Sequence, residues 1–148
     1  MIYLVCVGNL KEKYLVDGCN EYLKRIQRYS KIEIIECKES LFTPFPLALK
    51  AEAVDIQKHC KGYVIKLAID GKIFSSQQLA EKIENITLNG YSDMTFIIGS
   101  SNGIDSNVKA DMELSISKMT FPHQLTRLIL LEQIYRAYSI LNHSPYHK

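Results

Sequence analysis

The sequence is short of the residues that announce the commoner chemistries. Its four cysteines, Cys6, Cys19, Cys37 and Cys60, are far apart and form no C-x-x-C pair, so the familiar metal-ligand and disulfide spacings are absent. No metal is expected, and a reducing, cytoplasmic setting is the simplest reading. No apolar run has the length of a membrane span; the opening Met1-Ile2-Tyr3-Leu4-Val5-Cys6-Val7 stops at Gly8-Asn9. An excess of one charge is also missing. The net charge of +2 is too small to point to nucleic acid by itself. There is no G-x-G-x-x-G, no phosphate loop ending in Lys-Ser/Thr, no Ser-His-Asp order and no carboxylate pair. No linker, repeat or low-complexity tract divides the chain, so residues 1–148 are read as one domain.

What is present alternates. Apolar, β-branched runs predict strands at Ile2–Val7, Ile32–Cys37, 63–69, Met94–Ile98 and 114–117. Helical spacing predicts helices over 13–29, 47–60, 75–88 and 123–141. Ser75 with Gln78 has the capping-box spacing, and Asn89-Gly90 ends the helix it opens. Asp70-Gly71 reads as the turn closing the third strand, Pro44 and Pro46 punctuate a loop over 38–46, and Asp105 caps a short helix over 106–112. Strands alternating with helices imply an α/β protein with a three-layer, mainly parallel sheet. Ligands in such sheets sit beyond the carboxyl ends of the strands, which singles out the loops at 68–72, 99–103 and 118–123.

Candidate residues collect near those loops and at the end of the chain. His123 opens the longest helix, where free N–H groups and the helix dipole converge. Glu132 and Arg136 stand one turn apart on that helix, either as an exposed ion pair or as the polar edge of a site. Tyr146, His147 and Lys148 close the chain with groups that stack on bases and contact phosphate. The tail has no apolar stripe, which predicts that these groups are free for a partner. The last helix is apolar on more than one side, through Leu128, Ile129, Leu130, Leu131 and Ile134, which predicts burial against a second chain.

Several segments together resemble a known family. Phe96-Ile97-Ile98-Gly99, Ser101-Asn102-Gly103, Leu114-Ser115-Ile116-Ser117-Lys118-Met119-Thr120-Phe121-Pro122-His123, Glu132-Gln133-Ile134-Tyr135-Arg136-Ala137 and Tyr146-His147-Lys148 are similar to the ribosomal RNA large-subunit methyltransferase H family of the SPOUT superfamily. The resemblance spans the whole chain. It implies methyl transfer from S-adenosylmethionine (S-adenosyl-L-methionine) to N3 of a pseudouridine in large-subunit rRNA. It implies a C-terminal trefoil knot and a homodimer that shares its acceptor site, with no metal and no membrane. By the same resemblance Leu67, Gly99, Ile116, Ser117, Lys118, Met119, Thr120 and Phe121 line the cofactor pocket. His123, Glu132, Arg136, Tyr146 and His147 are the candidates for holding the acceptor. The alternative is a non-catalytic ribosome- or RNA-binding module that retains the fold. The chain departs from the family at Ser100, where a second glycine is usual. That departure implies a side chain crowding the cofactor or a strained backbone.

Overall fold

The computed structural model describes residues 1–41 and 44–148. The order of elements is β1 (Ile2–Val7), α1 (Lys13–Ile26), β2 (Ile32–Cys37), α2 (Phe45–His59), β3 (Tyr63–Ile73), α3 (Ser76–Leu88), β4 (Met94–Ile98), β5 (Met112–Ser115) and α4 (His123–Leu141). The five strands form one sheet in the order β2-β1-β4-β3-β5, with every pairing parallel.

Alternation along the central strands feeds two cores. Ile2, Leu4, Cys6, Ile65, Met94, Phe96 and Ile98 face α1, α3 and α4, while Val5, Val7, Val64 and Ile97 face α2 and Val108. Because both faces are covered, these strands read as continuous apolar runs, as buried parallel strands do. This is the expected three-layer architecture. Among the described residues, no helix is long and apolar enough to cross a membrane.

Local signals located most elements. The capping box at the start of α3 is present: the Ser75 hydroxyl accepts from Gln78 N–H and the Gln78 side chain accepts from Ser75 N–H. Four expectations need correction. The helix predicted over 106–112 is a set of turns: Asp105 accepts from Asn107 N–H at 2.8 Å as a cap would, but the chain is then drawn into pairing between Asp111 and Val64 of β3 and no helix continues. β5 accordingly begins at Met112 instead of 114. Pro46 lies in the first turn of α2, where a missing N–H costs nothing, so the helix starts before the expected position. The predicted 38–46 loop includes Phe42 and Thr43, which lie outside the described residues.

The fourth correction matters most. β3 does not end at Asp70-Gly71. Leu67 pairs with Leu114 of β5, the chain makes an excursion over residues 68–71, and Lys72 then pairs with that same Leu114 before Ile73 pairs with Ser115. Gly71 lies directly on the β5 backbone, where an added Cβ would stand 2.8 Å from the carbonyl carbons of Glu113 and Leu114.

From β5 the chain returns to set α4 between α1 and α3. Arg127 anchors that return. It is buried, and donates from Nη1 to Glu36 Oε2 at 2.7 Å and from Nη2 to the Gly8 carbonyl at 3.1 Å. The apolar breadth of α4 is satisfied inside one chain, since Leu130, Leu131, Ile134 and Ala137 are buried among α1, α3 and the sheet. It therefore does not by itself require a second chain.

Two outcomes follow for chemical denaturation. Gly71→Ala should lower stability by about 1–3 kcal/mol, because the methyl meets backbone that cannot turn aside. Arg127→Ala should cost roughly 2–3 kcal/mol: it strips the Gly8 carbonyl of a charged donor, while Glu36 remains partly hydrated. Unchanged urea midpoints would contradict both assignments.

Candidate active site

β4, β3 and β5 are neighbours and parallel, so the loops after β4 and β5 and the 68–71 excursion of β3 fall at one edge of the sheet, the loop side of the candidate site. Leu67 and Ile116 are half-buried and pack against the core beneath, while Lys118, Met119 and Thr120 are exposed above. Ser117 shapes this loop: its hydroxyl accepts from Met119 N–H at 3.0 Å and its carbonyl accepts from the Ser115 hydroxyl at 2.9 Å. Among the described residues, the N–H groups of Lys118, Thr120 and Phe121 have no protein partner. Gly99 is buried at the end of β4. Its own loop turns back so closely that a Cβ would lie 2.4 Å from the Gly103 carbonyl oxygen.

Ser100 behaves differently from expectation. Its backbone is outside the left-handed region, and its side chain is buried and turned toward α2, where the hydroxyl donates to Glu52 Oε1 at 3.1 Å. The other oxygen of that buried carboxylate accepts from Ser40 N–H at 3.0 Å. The serine is thus part of the support beneath the loop.

The second side of the site lies on α4. Glu132 Oε1 accepts from Arg136 Nε at 2.9 Å, from Arg136 Nη2 and from the Tyr146 hydroxyl at 3.1 Å. Gln133 donates to Glu132 Oε2 at 2.8 Å and accepts from the Ser76 hydroxyl at 2.7 Å. Ser76 begins the helix that follows the β3 excursion, so this pair of bonds links the polar cluster to the loop side. In the sequence Ser76 reads as helix surface, and Gln133 enters only within the run 132–137 that carries the family resemblance.

The tail is not free, contrary to expectation. His143 adopts φ 57° and Ser144 N–H reaches back to the Ser139 carbonyl, a left-handed helix ending that turns the chain onto its own surface. Tyr146 then packs edge-on against Tyr135 with ring centroids 4.7 Å apart and lies under the Arg136 guanidinium at 4.8 Å. Its hydroxyl also meets that of Tyr22 at 3.3 Å. His147 Nδ1 lies 3.1 Å from Arg136 Nη1. Since a guanidinium only donates, Nδ1 is the acceptor, and a neutral ring carries its proton on Nε2.

These contacts decide what the cluster can do. Burial first, then the bond to Tyr22 and the charge of Glu132, push the Tyr146 phenol well above its ordinary range, so it stays protonated. The bond to Glu132 holds Arg136 firmly in its charged form. Glu132 is engaged on both oxygens. The group is built to hold an orientation and present donors. Of the predicted acceptor residues, the fold brings Glu132, Arg136, Tyr146 and His147 together, but not His123. That residue lies about 13 Å up the helix axis from Glu132. It lines a separate open cleft of about 440 Å³ with Gly8, Glu36 and Glu39, at the ends of β1 and β2.

The chain is similar to known proteins along its whole length. A family model described as predicted SPOUT methyltransferase matches residues 1–147. A Methanococcus maripaludis chain is 50% identical, with 99% of each chain covered. The ribosomal RNA large subunit methyltransferase H of Streptococcus pyogenes serotype M5 is 47% identical and that of Leuconostoc mesenteroides 44%, each again over 99% of both chains. A solved structure of a probable methylase family protein from Haemophilus influenzae Rd KW20 superposes with TM-score 0.54 over 96% of this chain and 66% of that one. At 12% identity it speaks to the fold alone. The chain belongs to the SPOUT methyltransferase family.

Proposed function

We propose that the protein is an S-adenosylmethionine-dependent methyltransferase of large-subunit ribosomal RNA, acting on N3 of a pseudouridine in the cytoplasm. The observation that carries this reading is full-length likeness, at 44–50% identity, to chains named as ribosomal RNA large subunit methyltransferase H. The two-sided site supports it physically: strand-end loops on one side, an oriented polar cluster on the other.

The loop residues suit the cofactor. Free N–H groups at Lys118, Thr120 and Phe121 would bond the edge of an adenine, with Leu67 and Ile116 as its apolar floor. The segment from Ile116 through Phe121 gives backbone that a ligand can approach closely, while Gly99 lets its own loop fold tightly beside it at the pocket's edge. Bound there, the cofactor supplies a methyl group already activated on a sulfonium, so no covalent nucleophile of the protein is needed. Glu132 fixes Arg136 and Tyr146, and Arg136 fixes His147. Together they would hold the acceptor ring so that N3 faces the methyl donor. The imino proton of N3 is lost to solvent in this scheme, since Glu132 is fully engaged and Tyr146 stays protonated. Exposed Lys118 and Lys148 lie within reach of phosphates.

A trefoil knot fits the same arrangement. β5 pairs with β3 on both sides of the 68–71 excursion, and the chain then continues into a helix held between α1 and α3. A homodimer is also part of this reading. Ile69, Ile73 and Met119 are exposed around the site, and a second chain would cover them and narrow the acceptor opening. Light scattering at micromolar concentration should give twice the 17.0 kDa of one chain.

Tyr146→Phe keeps the ring against Tyr135 and removes only the hydroxyl. Cofactor affinity by calorimetry should hold, while tritium transfer to ribosomes lacking the modification should fall at least about tenfold. Full activity in that variant would move acceptor positioning elsewhere. Ser100→Gly should lower stability by about 1–3 kcal/mol by leaving Glu52 Oε1 without its donor, and leave cofactor affinity unchanged. A large loss of affinity would instead make the serine hydroxyl a ligand.

A further inference from the structure

On the opposite face of the sheet, at its far edge, the fold assembles a group that no sequence spacing announces. Cys37 ends β2, the edge strand, and is buried beneath α2. Asp55 and His59 stand one helical turn apart on α2 and turn the same way. The Cys37 thiol, a carboxylate oxygen of Asp55 and a ring nitrogen of His59 all lie within 4.8 Å of one another, with His59 Nε2 at 3.8 Å from Asp55 Oδ1. Ligand atoms around a tetrahedral zinc stand about 3.3–3.8 Å apart, given bonds of about 2.0–2.3 Å, so modest side-chain rotation closes the set. Cys60, directly after His59, is half-buried beside the same core and donates its thiol only to the Ile56 carbonyl at 3.4 Å.

We propose that Cys37, Asp55 and His59 form a binding site for one zinc-class divalent ion, with the fourth position left to water or to the Cys60 thiol. The donors are of three kinds, one soft sulfur, one imidazole and one carboxylate, a set that favours zinc over calcium or magnesium. Access is open, since the Asp55 and His59 side chains are 43% and 39% exposed. Binding forms one Sγ–metal bond and releases the thiol proton to solvent. Without the ion, burial holds the thiol in its protonated form against Asp55. The ion would fasten the end of β2 to the last turns of α2. The site lies three strands from β3 in the sheet, roughly 14 Å across, so it stands apart from the methyl-transfer site.

The test uses the full-length protein stripped with a chelator and titrated with Co(II). One equivalent per chain should bind, with a near-ultraviolet thiolate-to-metal charge-transfer band and the intense visible bands of a four-coordinate ion. One equivalent of Zn(II) should displace it. His59→Gln and Asp55→Asn alter partly exposed helix side chains and leave the core untouched; each should weaken binding roughly tenfold or more. Zn(II) should raise the Tm of the wild type and not that of His59→Gln. Absence of the charge-transfer band in folded protein with excess Co(II) would reduce the group to a surface ion pair beside a core thiol. Wild-type affinity in either variant, or an unchanged band in Cys37→Ser, would also overturn the proposal.

Discussion

The structure turns on one backbone contact: residues 68–71 lie against β5 while β3 pairs with it on both sides of them. Leu114 serves two partners in β3, Leu67 and Lys72, which is possible only because the intervening chain leaves the sheet and returns. Gly71 permits that return, since any Cβ there would occupy the space of the β5 backbone. The consequence reaches the whole C-terminal half. The end of β5 is held at the sheet edge, the loop from Ile116 to Phe121 opens beside the excursion, and α4 starts from a defined position. Arg127 then pins α4 across the ends of β1 and β2, far from where β5 left the sheet.

From that placement the division of labour in the site follows. Its loop side offers backbone, which is what a donor with its own chemical activation requires. The α4 side offers side chains, but they are committed to one another. Glu132 is surrounded by donors, Tyr146 is kept protonated by burial, and Arg136 is charged and stacked. In the proposed reaction such a cluster would contribute by orientation, which can supply roughly 7–11 kcal/mol toward lowering a barrier when the acceptor would otherwise be mobile. The Ser76–Gln133–Glu132 chain of bonds ties the start of α3, shortly after the excursion, to the polar cluster on α4.

The support beneath the loops is less visible but of the same kind. Glu52 is a buried carboxylate on α2 that accepts from Ser40 and Ser100, joining the layer behind the sheet to the end of β4. A glycine pair at 99–100 would leave that acid one donor short. The serine at 100 is therefore intelligible from the helix behind it.

Much of the fold was legible locally because the signals are local. The continuous apolar runs Ile2–Val7 and Met94–Ile98, the Ser75–Gln78 capping box and the uninterrupted run His123–Leu141 depend on residues within a few positions of one another, and those elements formed where expected. Local signals failed where a distant partner outbid them. Asp70-Gly71 has turn chemistry, yet β5 pairing carries β3 beyond it. Asp105 has cap chemistry, yet its carboxylate closes a turn and the chain goes on to pair with β3. Tyr146 and His147 look like a free tail, yet a left-handed residue at 143 turns them onto Tyr135 and Arg136. Local sequence is enough to specify the five strands and four long helices, their order, and the family pattern carried by 114–123 and the closing residues. Only tertiary structure decided that His123 parts from Glu132, that Ser100 meets Glu52, and that Cys37 meets Asp55 and His59. Those meetings join residues far apart in the chain, and their free energy arises from burial and hydrogen bonds that exist only once the layers have packed.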